Sequence, residues 1–181
     1  MCKVVSSTAS DMLRVNVGRE VMNAKISEVF AVRRSLDIEA LSNKLGKVLS
    51  HSAAVVITNK GPVLVEYMGD SHVYVFKCND FKSEKHVFKQ RGFYFICDKE
   101  NGEVPNCEIT VKMFADKMVE LMKNKKFNTF THNCHHARYR TMKSFGMSSD
   151  NPNSEHKNLI VQGFVDVSKK YPKLRLVYAN E

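Results

Sequence analysis

Three residues in this sequence have the types and the chain order that thiol chemistry requires. Cys134 follows Asn133 at the start of a predicted helix, and His51 opens a predicted strand. Glu66 lies near the end of the next predicted strand. A thiol is a nucleophile only as its thiolate, and both a helix N-terminus and a nearby imidazolium lower its pKa from about 8.5. We therefore predict Cys134 as a nucleophile and His51 as its general base, which later acts as an acid.

Spacing alone does not identify the residue that orients the His51 ring. Symmetric pairing of the two strands about the intervening turn places Glu66 opposite Val55 and Asp70 opposite His51. Asp70 and His72 therefore compete with Glu66 for this role. A tighter turn or a bulge has to shift the register before Glu66 can reach His51.

The elements that position these residues indicate one α+β domain. Alternating apolar residues between turn signals predict strands at residues 51–58, 63–68, 72–77 and 92–97, with an irregular segment at 82–89. Helical spacing of apolar residues predicts helices at 37–47, 111–123, 134–145 and 155–170. Residues 19–33 fit a helical stripe or a strand near 29–32, and residues 174–178 fit a last strand. We expect a small antiparallel sheet packed with helices in a single domain of residues 1–181.

Three of these motifs, in this order, resemble the circularly permuted papain-like cysteine hydrolases. That group includes lecithin:retinol acyltransferase-like enzymes, permuted NlpC-type peptidases and permuted deubiquitinating peptidases. Its histidine strand is matched by HSAAVVI at residues 51–57, and its next strand, with a polar orienting residue, by VLVEY at 63–67. Its nucleophile, in an Asn-Cys pair opening a helix, is matched by THNCHHA at 131–137.

The resemblance implies a circularly permuted papain-like arrangement in which Glu66 orients His51. It covers residues 50–146 as a catalytic core and leaves residues 1–49 and 147–181 as extensions of unknown role. It further implies attack of Cys134 on the carbonyl carbon of an amide, isopeptide or ester, giving an acyl-enzyme. We accordingly expect a cysteine hydrolase (peptidase, isopeptidase or amidase) or an acyl transferase.

The cellular setting bears on the substrate. The sequence has no signal-peptide pattern and no apolar run of membrane-spanning length, so we expect an intracellular protein, cytoplasmic or nuclear. This setting favours a protein or peptide substrate.

The net charge of +9 supports a second interpretation, a non-catalytic binding module whose basic face holds nucleic acid or an acidic protein. Basic residues in Lys123–Lys126, with Arg138, Arg140 and Lys143, can bind phosphate or can form a solvated helix face. We favour the solvated face, since the sequence has no glycine-rich phosphate loop.

Histidines 132, 135 and 136 surround Cys134, but we expect no metal and no cofactor. Adjacent side chains on a helix diverge by about 100°, so His135 and His136 cannot easily share one ion.

The five cysteines include no Cys-x-x-Cys pair, and in a reducing compartment all five are expected as thiols. The simplest role for Cys78, Cys97 and Cys107 is that of small buried hydrophobic residues.

Overall fold

The computed structural model describes residues 11–35, 50–82, 87–98, 100–128 and 132–147 of the 181-residue chain. These residues form seven strands: β1 (Leu13–Asn16), β2 (Ile26–Ser35), β3 (Ser50–Thr58), β4 (Val63–Tyr67), β5 (Val73–Lys77), β6 (Val87–Gln90) and β7 (Phe93–Cys97). They also form three helices: α1 (Arg19–Met22), α2 (Val111–Met122) and α3 (Cys134–Ser144). The predicted helices at 37–47 and 155–170 and the predicted strand at 174–178 lie outside the described residues.

The seven strands form one sheet in the order β1-β5-β4-β3-β2-β7-β6. Strand β1 pairs with β5 in parallel, and the other five neighbouring pairs are antiparallel. The α+β class is therefore confirmed, but the sheet is mixed and larger than the small antiparallel sheet that we expected. The difference comes from residues 13–35, which supply β1 and β2 to the sheet, and from residues 87–90, which form β6 where we predicted irregular chain.

Residues 19–33 are mainly strand, so their helical stripe is a misleading pattern. Only α1 is helical, and β2 follows it. Along β2, Val29 and Ala31 face the helices while Phe30 and Val32 face the opposite side of the sheet. Because both faces of β2 are buried, its apolar residues do not alternate with polar ones, and their spacing can imitate a helix.

Side chains cap the starts of the two long helices, α2 and α3. The Thr110 hydroxyl accepts from the Met113 backbone N–H at 3.2 Å at the start of α2, and the Asn133 side-chain oxygen Oδ1 accepts from the His136 backbone N–H at 3.1 Å at the start of α3. Within the described ranges, no helix combines the length and the apolar character that crossing a membrane would demand.

Each face of the sheet covers a separate apolar core. The helix-side core lies between the sheet and the two long helices, and includes Val56, Val65, Phe114, Met118 and Met142. The opposite core, on the other face, is rich in aromatic residues: Phe30, Phe81, Phe88 and Phe95, together with Val55 and Leu64. Burial of this apolar surface is the main stabilising contribution to the fold.

The sheet curls around the opposite core, so that the β6–β7 hairpin returns towards β5. Strands β6 and β5 are separated by four strands in the sheet order, yet the Gln90 side chain donates to the Lys77 carbonyl at 2.9 Å. The rings of Phe81 and Phe88 have centroids 5.2 Å apart, and Phe88 stacks on Phe95 at 5.3 Å. These aromatic contacts hold the hairpin over the face of the sheet that carries His51.

Candidate active site

His51 and Glu66 lie on the same face of neighbouring strands and are hydrogen-bonded. Glu66 is paired with Ala53, two residues from the Val55 partner that symmetric pairing predicts. The shift arises because the turn closes over Thr58–Gly61, so the two strands pair symmetrically about a point between Asn59 and Lys60. Glu66 thereby becomes the diagonal neighbour of His51, and its Oε2 lies 2.7 Å from His51 Nε2.

Cys134 is the first residue of α3, and its sulfur reaches the end of β3. The Ser52 backbone N–H donates to Cys134 Sγ at 3.4 Å, and the His135 backbone N–H forms a second hydrogen bond to the sulfur. His51 lies close enough to Cys134 for each side chain to shift the pKa of the other. The structure thus brings Cys134, His51 and Glu66 together.

The electrostatics of this group favour a thiolate–imidazolium pair. Burial is the largest influence on both groups and opposes their charged forms. The charge and the hydrogen bond of Cys134, followed by those of Glu66, nevertheless raise the pKa of His51 to about 9. The charge and hydrogen bond of His51, with the backbone N–H groups of Ser52 and His135, lower the pKa of Cys134 below its usual value.

The second oxygen of Glu66 binds Arg91, a residue that the sequence analysis missed. Arg91 Nη1 donates to Glu66 Oε1 at 2.6 Å, and the Arg91 guanidinium lies over the Phe76 ring at 4.2 Å from its centroid. Arg91 occupies the turn between β6 and β7. The one signal for it in the sequence is the Arg91-Gly92 dipeptide, a possible turn in the segment after residues 82–89.

Arg138 is buried rather than solvated, so the interpretation of it as part of an exposed basic helix face is wrong. Its side chain is 6% exposed, and its Nε donates to the Ser52 hydroxyl at 2.7 Å. Its Nη2 lies 4.0 Å from an Asp98 oxygen, and the other Asp98 oxygen pairs with Arg33 at 3.1 Å. Arg138 lies four residues after Cys134, on the same side of α3, which is the signal that would have indicated its burial.

The two alternative orienting residues, Asp70 and His72, interact with each other instead of with His51. His72 Nδ1 lies 2.8 Å from the Asp70 carbonyl oxygen, and the Tyr74 hydroxyl donates to the Asp70 carboxylate at 2.6 Å. Arg14 contacts the other ring nitrogen of His72 at 2.8 Å. Both residues lie at the turn between β4 and β5, away from His51. The observed register of β3 and β4 instead places Glu66 beside His51.

The histidines around Cys134 do not converge on a common point. His136 Nδ1 contacts the Asn133 side-chain oxygen at 2.8 Å, and His132 forms a backbone bridge with Asn128. Burial, Lys125 and Arg140 lower the pKa of His132. In the part of the chain that the structure describes, no group of three or more His, Cys, Asp or Glu side chains is arranged to hold a metal ion.

The other described cysteines differ chemically from Cys134. Burial raises the pKa of Cys78 to about 12 and that of Cys97 to about 11, and both are free thiols. Cys107 is disulfide-bonded, so the expectation that all five cysteines are thiols is wrong. Cys78 and Cys97 are therefore internal references for the reactivity of Cys134.

Comparisons with protein-family models, with curated proteins and with solved structures found no match to this chain. A buried thiol at a helix N-terminus, beside a histidine that a carboxylate orients, has the components of nucleophilic catalysis.

Proposed function

We propose that this protein is a cysteine hydrolase or acyl transferase, with Cys134 as nucleophile, His51 as base and acid, and Glu66 as the orienting residue. The observation that carries the proposal is the position of the His51 ring, which is hydrogen-bonded to Glu66 at 2.7 Å and lies beside Cys134, whose charge raises the His51 pKa. The proposed class includes the permuted papain-like hydrolases that the sequence motifs resemble. A protein or peptide, joined through an amide or isopeptide bond, is the proposed substrate.

In the proposed reaction, the Cys134 thiolate attacks the carbonyl carbon and the carbonyl π electrons move to oxygen. The N–H of Cys134, which begins α3 and has no partner within the helix, is the proposed donor to this oxyanion. The intermediate collapses, the carbon–nitrogen bond breaks, and the His51 imidazolium gives its proton to the leaving amine. The product is a thioester on Cys134.

Deacylation uses the neutral His51 that remains. His51 takes a proton from a water molecule or from the hydroxyl of an acceptor, that oxygen forms the new bond to the carbonyl carbon, and the sulfur leaves as thiolate. Glu66, hydrogen-bonded to His51, stabilises the imidazolium each time it forms.

The test is a pH series of iodoacetamide labelling, quantified for each cysteine by mass spectrometry. We expect Cys134 to label fastest at pH 6–7, because its pKa is lowered while burial raises the pKa of Cys78 to about 12 and that of Cys97 to about 11. We also expect His51→Ala to abolish this advantage, with circular dichroism showing that the variant is folded. If Cys134 labels no faster than the other two, the hydrolase proposal fails.

The same experiment bears on the alternative function, a basic binding module. Equal labelling of the three thiols would favour that module, and its affinity for a nucleic acid or an acidic protein should then fall steeply with added salt. The burial of Arg138 removes one cation from the basic face on which this alternative depends.

A further inference from the structure

We propose that Arg91 is a positioning residue of the active site, supplied by the β6–β7 hairpin, which holds the Glu66 carboxylate in the orientation that aligns His51 with Cys134. This inference rests on the proposed function and adds a residue to its site. Arg91 acts through Glu66 and His51 and does not itself contact the sulfur.

The first argument is the division of the Glu66 carboxylate between two partners. One oxygen lies 2.7 Å from His51 Nε2 and the other 2.6 Å from Arg91 Nη1. The Glu66 side chain is 2% exposed, so water cannot replace a lost partner without a rearrangement of the site. A charge-assisted hydrogen bond to the second oxygen fixes the rotation of the carboxylate and therefore the direction in which the first oxygen points.

The curl of the sheet places Arg91 beside Glu66. Its hairpin lies at the end of the sheet opposite β1, with β3, β2 and β7 between β4 and β6. The curl of the sheet brings Arg91 across the opposite core to Glu66 on β4 and to Phe76 on β5. Gln90 adds a hydrogen bond to the Lys77 carbonyl. Three contacts thus connect this turn to the strands that carry the site.

The third argument is the backbone at Arg91. Gln90 pairs with Phe93, so the hairpin loop is Arg91-Gly92, with φ of 53° and 86°. Positive φ at both loop positions matches a type I′ turn, where asparagine before glycine is preferred and a long side chain is disfavoured. An arginine in this conformation departs from local preference, and its ion pair with a buried carboxylate accounts for the departure.

The groups that face Glu66 come from three elements. His51 approaches from β3 and Arg91 from the hairpin turn, while Tyr74 lies directly opposite on β5 and donates its hydroxyl to Asp70. Arg91 is therefore a second cationic partner of the buried carboxylate, beside His51.

The test compares three variants by Cys134 labelling at pH 6.5 and by urea unfolding. Arg91→Asn creates the Asn-Gly pair that type I′ turns prefer, so the hairpin should keep or gain stability while the side chain can no longer reach Glu66. We expect its Cys134 labelling to slow about tenfold, as for the loss of one hydrogen bond to a charged group. Arg91→Lys retains a cationic donor and should stay within about threefold of the unmodified protein.

Lys89→Ala is the matched control. It removes an exposed cation from the same hairpin, one whose ammonium lies over the Tyr94 ring at 5.6 Å, and should leave labelling unchanged. Wild-type labelling of Arg91→Asn in a folded protein would overturn the inference and leave the proposed function intact. Unfolding of Arg91→Asn would show a purely structural role and overturn it as well. Slow labelling of Cys134 in the unmodified protein would instead mean that the proposed function itself has failed.

Discussion

At the residue scale, the negative charge of Glu66 stabilises the imidazolium of His51. Glu66→Gln keeps the size of the side chain and removes that charge, so we expect Cys134 labelling at neutral pH to slow by about ten- to a hundredfold. The measurement is the same labelling assay on folded protein. Asp70→Asn is the matched control, because Asp70 contacts His72 and Tyr74 instead of His51. Equal slowing in both variants would contradict the role assigned to Glu66.

The titration of His51 is a second property of a single residue. Its folded pKa of about 9 lies above the ordinary value of 6.5, so the ring stays protonated as the pH rises through neutrality and loses its proton near pH 9. We expect Cys134→Ala to lower this midpoint, because burial lowers the pKa of His51 and the thiolate that opposes this effect is gone. Nuclear magnetic resonance of the histidine ring carbons measures both midpoints, with His51→Ala identifying the signal. A midpoint near 6.5 in the unmodified protein would exclude the ion pair.

At the scale of elements, the loop between β3 and β4 sets the register on which the site depends. The Thr58 carbonyl accepts from the Gly61 N–H at 3.1 Å, and the Thr58 hydroxyl donates to the Gly61 carbonyl at 2.8 Å. These bonds close a turn over Thr58–Gly61 that is centred on the same point as the strand pairing, and this position of the turn places Glu66 opposite Ala53. The loop therefore determines the geometry of the site, although none of the loop side chains belongs to the site.

Gly61→Ala tests this loop. Gly61 has a φ of 99°, with open space around the position of an added Cβ, so the cost of the substitution is backbone strain alone. We expect the free energy of unfolding to fall by about 1 kcal/mol, measured in urea. Gly69→Ala is the control, because that glycine has equally open space and no positive φ, and it should change stability by less than about 0.5 kcal/mol. A neutral Gly61→Ala would show that the loop tolerates another conformation.

Local patterns were sufficient to predict the elements that carry Cys134, His51 and Glu66. Strands β3, β4, β5 and β7 and helices α2 and α3 agree with the predicted segments within one or two residues. The register was not predictable, because it depends on hydrogen bonds inside a turn and not on apolar alternation. The burial of Arg138 and the approach of Arg91 were not predictable either, since both depend on contacts between segments distant in the chain.

At the scale of the whole molecule, the opposite core connects the stability of the fold to the site. Phe88 is buried on β6 between the rings of Phe81 and Phe95 and so holds the hairpin that carries Arg91. Phe114, in the helix-side core, stacks on Phe145 at the far end of α3 from Cys134. Phe88 and Phe114 are both buried, but only Phe88 holds the hairpin that carries Arg91.

Phe88→Leu and Phe114→Leu test this difference. Each should lower the free energy of unfolding by on the order of 1 kcal/mol, since each leaves a small packing defect in a core. We expect Cys134 labelling to slow only in Phe88→Leu, because its hairpin shifts relative to Glu66. Urea unfolding and labelling of both proteins measure the two effects. Equal labelling rates would show that the hairpin position is not sensitive to this core.

The contacts that form the site join residues at very different separations along the chain, and this affects folding during synthesis. His51 and Glu66 are 15 residues apart on adjacent strands, whereas the contact between Ser52 and Cys134 spans 82 residues. Local contacts form sooner than distant ones, because closing a long loop costs more chain entropy. The base and its partner therefore assemble first, and Cys134 keeps the thiol pKa of an unfolded peptide, about 8.5, until α3 docks. A nascent or partly folded chain thus carries a thiol without its activating partners, and the activated nucleophile arises only when α3 docks.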